Sequence, residues 1–343
     1  LAGLLYVVLA ALFKTFGTKA VIRYFPPIVT GPIIICIGLT LSSTAITNCR
    51  SNWAIALIAI AIVVVCNIWG KGMVKIIPIL LGVVGSYGVA ALCQITGMEV
   101  MDPAKVQALL DAPWIGLPFQ FENTLFGLFS RPNVDSGLLL TSAVTIMPLA
   151  LATMVEHIGG ICAISSTCER NYLQNPGLHR TLLGDGLATS LAALFGAPAN
   201  TTYGENTGVL ALSRVYDPKV IRIAAGLAIL LSFSPKFAAL VSAMPTATMG
   251  GVSMVLYGMI SAVGVRNVVE NQVDFTNSRN VIIAAIIMVL AIGVNYSGAV
   301  TFSVGSIEVS LSGLAVAAIA GIALNAVLPG KDYEFGEDEK GDT

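Results

Sequence analysis

Two carboxylates, Glu156 and Glu205, stand inside stretches otherwise apolar enough for a bilayer. Glu205 lies in Asn200-Thr-Thr-Tyr203-Gly204-Glu205-Asn206-Thr207-Gly208, a polar stretch flanked closely on both sides by membrane-grade sequence. Small and β-prone residues precede it, and a helix-like Val209-Leu-Ala-Leu212 follows. Glycines on either side of a carboxylate, where an extended piece gives way to a helix start, read as a broken membrane segment. Such breaks are tolerated only where the backbone lines a cavity or is buried in protein, and transporters place substrates at them. Glu156 falls slightly cytoplasmic of the middle of the apolar run 138–166. A carboxylate at that depth costs about 2.5–3.5 kcal/mol on insertion scales and by default faces the protein interior. Removal from water favours the neutral form of a carboxyl group, so Glu156 is also a candidate proton carrier. The plainer reading makes Glu156 a structural residue paired with neighbouring hydroxyls or with His157.

Two acids beside a helix start would suit a ligand that offers both N–H donors and C=O acceptors. The carboxylates accept from its N–H groups, while free backbone N–H groups at the helix N-terminus serve its carbonyls. A cyclic imide or ureide fits that description; an amino acid or an anion fits part of it. His157 either packs or relays protons, since adjacent helix positions do not share a face. Asp185, between Gly184 and Gly186, is either polar glue between helices or a partner behind the site. Small residues around it (Gly186, Ala188, Thr189, Ser190, Ala192) point to close helix packing.

The elements that must hold these residues are membrane spans. Apolar residues make up 56% of the 343 and charged residues only 11%, with a mean hydropathy of +0.85. A soluble domain carries about 25% charged residues, so the chain reads as an all-α polytopic membrane protein. The net charge of −1 gives no sign of a nucleic-acid partner. Six scattered cysteines and two histidines lack metal-ligand spacing, and no cofactor is expected. Runs long enough to span, roughly 20 residues, fall at 1–16, 28–46, 53–69, 74–96, 138–166, 180–196, 218–234, 246–264, 280–298 and 308–329, with 199–214 as a broken addition. A polar-amphipathic loop occupies 97–137, and the tail 331–343 is expected to be a disordered cytoplasmic segment. No signal peptide is visible, because Leu1 already lies inside an apolar run.

Loop charges test that count. With the 17–27 loop in the cytoplasm and sides alternating at each span, fourteen lysines and arginines fall inside and four outside (Arg50, Lys105, Arg131, Lys236). That follows the positive-inside rule and puts the C-terminus in the cytoplasm. Omitting 199–214 as a crossing spoils the pattern at Lys219, Arg222 and Lys236. Phe25-Pro26-Pro27-Ile-Val-Thr30-Gly31 also parallels Met244-Pro245-Thr-Ala-Thr248-Met-Gly250, with proline and glycine five apart in both. Seven spans separate the copies, as an inverted-topology repeat requires. The simpler alternative is that Pro and Gly only mark helix starts.

At these residues the chain resembles the nucleobase–ascorbate transporter family (nucleobase:cation symporter-2), and within it the bacterial uracil branch. The family signature is carried by Glu205-Asn206-Thr207-Gly208 and Arg214, with Ser213 where a threonine is usual. Asn200-Thr-Thr-Tyr-Gly-Glu205-Asn, Pro176-Gly-Leu-His-Arg180 and Glu156-His157-Ile-Gly159 are similar to the uracil type. The resemblance implies fourteen spans in two inverted repeats of seven, divided into a core (transport) domain and a gate domain. On that mapping 1–16 and 138–240 belong to the core and 17–137 and 241–330 to the gate. The first three spans would be absent, including the short extended segment that pairs with 199–203 and closes the substrate pocket. The resemblance further implies proton-coupled uracil uptake across the bacterial cytoplasmic membrane, with dimers through the gate domain as a precedent. Glu156 and Glu205 would hold the pyrimidine, backbone N–H groups around Tyr203, Gly204 and Glu205 would serve its carbonyls, and Asn206, Gly208 and His157 would be structural. Relatives can carry a second histidine one turn after the first glutamate; Gly160 stands there in this chain, so Glu156 becomes the expected coupling residue. The alternatives are a xanthine, other nucleobase or anion carrier of the same fold, an intramembrane hydrolase and a passive channel. A hydrolase would need a nucleophile–base pair or a metal, yet His157 and His179 lie far apart in sequence.

Overall fold

The computed structural model describes residues 1–17, 24–98, 100–130, 136–168, 170–200, 202, 206, 210, 215–304 and 307–330. In order the elements are α1 (Ala2–Phe16), α2 (Pro27–Cys49), α3 (Trp53–Ile68), α4 (Met73–Ile76), α5 (Pro78–Ile95), α6 (Pro103–Asp111), α7 (Leu125–Phe129), α8 (Ser136–Cys168), α9 (Leu178–Leu194), α10 (Pro218–Ser232), α11 (Pro235–Ser242), α12 (Thr246–Glu270), α13 (Ser278–Ser297), β1 (Val300–Val304), β2 (Ile307–Leu311) and α14 (Gly313–Val327). Among the described residues α2, α5, α12 and α13 are each long and apolar enough to cross a membrane, and α1, α3 and α14 are shorter apolar helices.

Polar caps punctuate the apolar runs. The side chains of Asn52, Asp102, Asp217, Ser234, Asn277 and Ser312 accept from backbone N–H groups in the first turns of α3, α6, α10, α11, α13 and α14. Each satisfies one donor that a helix start leaves without an intrahelical partner. Proline follows the cap at α6, α10 and α11, where its fixed φ suits the first helical position and its missing N–H costs nothing.

One compact unit comprises residues 1–40, 121–207 and 260–343; the other comprises 41–120 and 208–259. In the first, Tyr6, Ala10 and Phe13 of α1 bury against Met154, Ile158 and Ile161 of α8 and Leu178 and Leu182 of α9. The α1–α9 seam is close: a Cβ on Gly186 would stand 2.6 Å from the Gly3 carbonyl oxygen and 2.7 Å from the Tyr6 Cβ. A second core in the same unit joins Ile28, Val29 and Ile33 of α2 to Ile283 and Ile287 of α13 and Ala317 and Ala318 of α14. Arg279, buried at the start of α13, donates from Nη2 to the Asn325 carbonyl at 3.0 Å and its Oδ1 at 2.8 Å, and from Nε to the Leu328 carbonyl at 3.3 Å. A guanidinium there satisfies carbonyls at the α14 C-terminus and complements its dipole.

In the second unit Cys49, Ile55, Ala56, Ala90, Met101, Ala243 and Ala247 form the core. The Ser86 hydroxyl lies 3.2 Å from that of Thr248, a buried link between α5 and α12.

The span expected at 308–329 is corrected. Residues 307–311 form β2, which pairs antiparallel with β1, and the helix starts only at Gly313. The register sets Val300 opposite Leu311, Phe302 opposite Val309 and Val304 opposite Ile307. Apolar residues alternate at 300, 302, 304 and at 307, 309, 311, the period of a strand rather than of a helix. Among the described residues the fold is therefore largely helical with one antiparallel strand pair, not all-α. Of the extended piece expected at 199–203, residues 201 and 203 lie outside the described residues.

Candidate functional site

His157 sits on α8 directly after Glu156, with 4% of its surface exposed. Its Nε2 lies 3.0 Å from the Thr181 hydroxyl, and its Nδ1 lies 2.6 Å from the Thr202 hydroxyl and 3.1 Å from Asp185 Oδ2. Thr202 Oγ1 also lies 3.1 Å from Asp185 Oδ2, so these three groups close a triangle. Behind the ring, Tyr6 meets it edge-on, with centroids 6.2 Å apart and planes at 87°.

The local sequence accounts for the arrangement. Thr181 and Asp185 are four apart on α9 and so share a face, which turns toward α8. The Thr181 hydroxyl donates to the Leu178 carbonyl at 3.1 Å. It is therefore the acceptor toward the ring, and Nε2 carries a hydrogen. On the other side, the Thr202 hydroxyl and Nδ1 share one carboxylate oxygen. If Thr202 donates to Asp185, Nδ1 donates as well and the ring is an imidazolium. If Thr202 donates to Nδ1, the ring is neutral.

The network fixes which sequence-level expectations meet. Asp185 bonds across to α8, and His157 is held by three polar partners. Glu156 lies on the α8 backbone beside His157; its side chain is outside what the structure describes. Tyr203, Gly204, Glu205 and Gly208 also lie outside the described residues, while Asn206 is helical and exposed. Thr202, three positions before Glu205, is the part of the polar stretch that the structure brings to His157. Sequence reasoning missed Thr181 and Thr202 as partners. The four-residue spacing of Thr181 and Asp185 on a helix was the available signal.

The Permease family profile matches residues 1–300. The chain is 38% identical over 342 residues to the uracil permease of Bacillus subtilis (strain 168), covering 96% of this chain and 74% of that one. It is 39% identical, with the same coverage, to the uracil permease of Bacillus caldolyticus. The chain belongs to the Permease family. To the uracil permease of Escherichia coli (strain K12) this permease is 34% identical, over 95% of its own length and 72% of the relative's. The apolar helices and the polar cluster buried between α8 and α9 suit a membrane permease, where polar side chains at depth face protein and partner one another.

Proposed function

We propose that this permease is a secondary active transporter that carries uracil with a proton across the cytoplasmic membrane. Its substrate is held between Glu156 and Glu205. Carboxylates accept from the ring N–H groups, and backbone N–H groups around Tyr203, Gly204 and Glu205 donate to the ring carbonyls. Glu156 is the proton carrier: protonation removes a charge that burial penalises and favours the substrate-loaded, occluded state. No cofactor takes part beyond the proton gradient, and the chain is a carrier rather than an enzyme. The core division at 1–16 and 138–240, the gate division at 17–137 and 241–330, and the inverted repeat between Pro26–Gly31 and Pro245–Gly250 belong to the same reading.

The observation that carries it is the 2.6 Å contact between His157 and Thr202. It joins the two polar stretches 45 positions apart in the chain, each at a residue close to one of the acids. The names of the relatives supply the cargo. The test is uptake of labelled uracil under an imposed pH gradient, with excess xanthine as competitor. Uracil accumulation that an uncoupler abolishes and xanthine leaves intact is expected; efficient xanthine competition would favour a purine carrier of the same family. Glu156→Gln is expected to retain uracil binding but to lose uphill, pH-dependent uptake. Unchanged pH dependence in that variant would remove Glu156 from the coupling role.

A further inference from the structure

At Phe233–Ser234 the chain turns, and α11 runs at 94° to α10. If α10 crosses the bilayer, a helix at a right angle to it lies in the membrane plane. There α11 is tied to α6 and the residues that follow it. The Gly116 N–H donates to the Phe233 carbonyl at 2.9 Å, and the Lys236 N–H donates to the Pro113 carbonyl at 2.9 Å. The Lys236 ammonium donates to the Leu110 carbonyl at 2.9 Å and stands 5.8 Å from the centre of the Trp114 ring. Val106 and Leu109 turn the inner face of α6 onto the core of its unit. The residues that follow α6 leave apolar side chains outside, with Trp114 75%, Ile115 85% and Leu117 72% exposed.

We infer that α6, residues 112–117 and α11 form a platform seated at the headgroup–acyl boundary, with Trp114 and Ile115 in lipid. The occupant follows from chemistry and placement. The segment links apolar helices in sequence, so it sits at a membrane surface. Exposed indole and aliphatic side chains beside Lys105, Asp111 and Lys236 suit neither bulk water nor the hydrocarbon centre. Tryptophan concentrates at the interface, and lysine can lay its stem along apolar surface while its head meets lipid phosphate. Two backbone hydrogen bonds and the lysine tie hold the tips rigidly to α11, so the platform fixes the depth at which α10 ends.

The test uses the chain's three tryptophans, of which Trp114 is isolated by comparison with Trp114→Phe. The protein is reconstituted in vesicles of phosphatidylcholine and phosphatidylglycerol. The emission lost on that substitution is expected to be blue-shifted, strongly quenched by lipid brominated at acyl positions 6 and 7, less by lipid brominated at 11 and 12, and weakly by aqueous acrylamide. Unchanged emission of the other tryptophans verifies folding of the variant. A polarity-sensitive fluorophore on Ile115→Cys is expected to show the same order of quenchers. Strong acrylamide quenching with none from brominated lipid would overturn the proposal. So would acrylamide sensitivity that appears only as the lipid-to-protein ratio is raised, because a second protein copy would then cover the patch. Neither readout involves transport, so the result stands apart from the uracil assignment.

Discussion

Both ring nitrogens of His157 are occupied, one by Thr181 and the other by Thr202 and Asp185, so truncation there strands several groups at once. His157→Ala leaves the Asp185 carboxylate, itself only 14% exposed, without its ring partner. Leaving a buried polar group unsatisfied costs about 1–3 kcal/mol. The expected loss of stability is therefore about 2 kcal/mol, read from unfolding of the purified permease. Replacing Asp185 by Leu in the same chain is expected to restore part of it, because no carboxylate is then left unpaired. Strict additivity of the two substitutions would mean that the pair is not coupled. Asp274, in the exposed turn between α12 and α13, gives a pH-dependent counterpart. Its carboxyl is held below the usual carboxylate range first by the Thr276 hydroxyl and then by the Thr276 amide, each at 2.7 Å. A depressed folded-state value means that the contribution to stability is complete above the unfolded value, near 3.9, and is lost as pH falls through the folded one. The stability difference between wild type and Asp274→Asn is thus expected at neutral pH and to vanish under strong acid. A difference that grows with acidity would contradict the assignment.

At the scale of elements, the α1–α9 seam makes the sharpest forecast. Gly186→Val places atoms where the Gly3 carbonyl and Tyr6 already stand. Overpacking of this kind costs about 1–3 kcal/mol. Gly184, two residues away, meets nothing within 4 Å, so Gly184→Ala is expected to be neutral or to stabilise by about 0.5–1 kcal/mol through helix propensity. Thermal unfolding of the two variants in parallel checks the contrast; equal effects would rule out the seam. This packing was legible from the small residues clustered around Asp185, and most helices were legible because a bilayer demands long apolar runs. The strand pair was not. Its five-residue alternations are short, and β2 abuts the apolar run of α14, so summed hydropathy masked a change of period. The bend between α10 and α11 was signalled by Ser234-Pro235 and the start of α6 by Asp102-Pro103, each a cap followed by proline. The His157–Asp185 partnership stayed hidden for a different reason: it joins two helices whose mutual rotation no periodicity records.

At the scale of the whole molecule, the contact between Lys236 and Leu110 bears on membrane topology independently of the charges. Two touching residues outside the spans lie on one side, so the chain between them crosses an even number of times. The sequence expects three crossings there, at 138–166, 180–196 and 218–234, and parity calls for one more. The charge pattern reaches the same total by counting 199–214, a stretch that lies mostly outside the described residues. Both lines of argument put Lys105 and Lys236 on one face, and a crossing at 218–234 puts Lys219 on the other. With a membrane-impermeant maleimide, Lys105→Cys and Lys236→Cys are expected to react in intact cells, and Lys219→Cys only after permeabilisation. The unsubstituted chain sets the background, and Cys36, Cys49 and Cys168 are buried. If Lys105→Cys and Lys236→Cys sorted to opposite faces, the tie between α6 and α11 would be wrong. If Lys219→Cys joined them on one face, α10 would not cross, and the two carboxylate stretches would lose the geometry that lets them share a ligand.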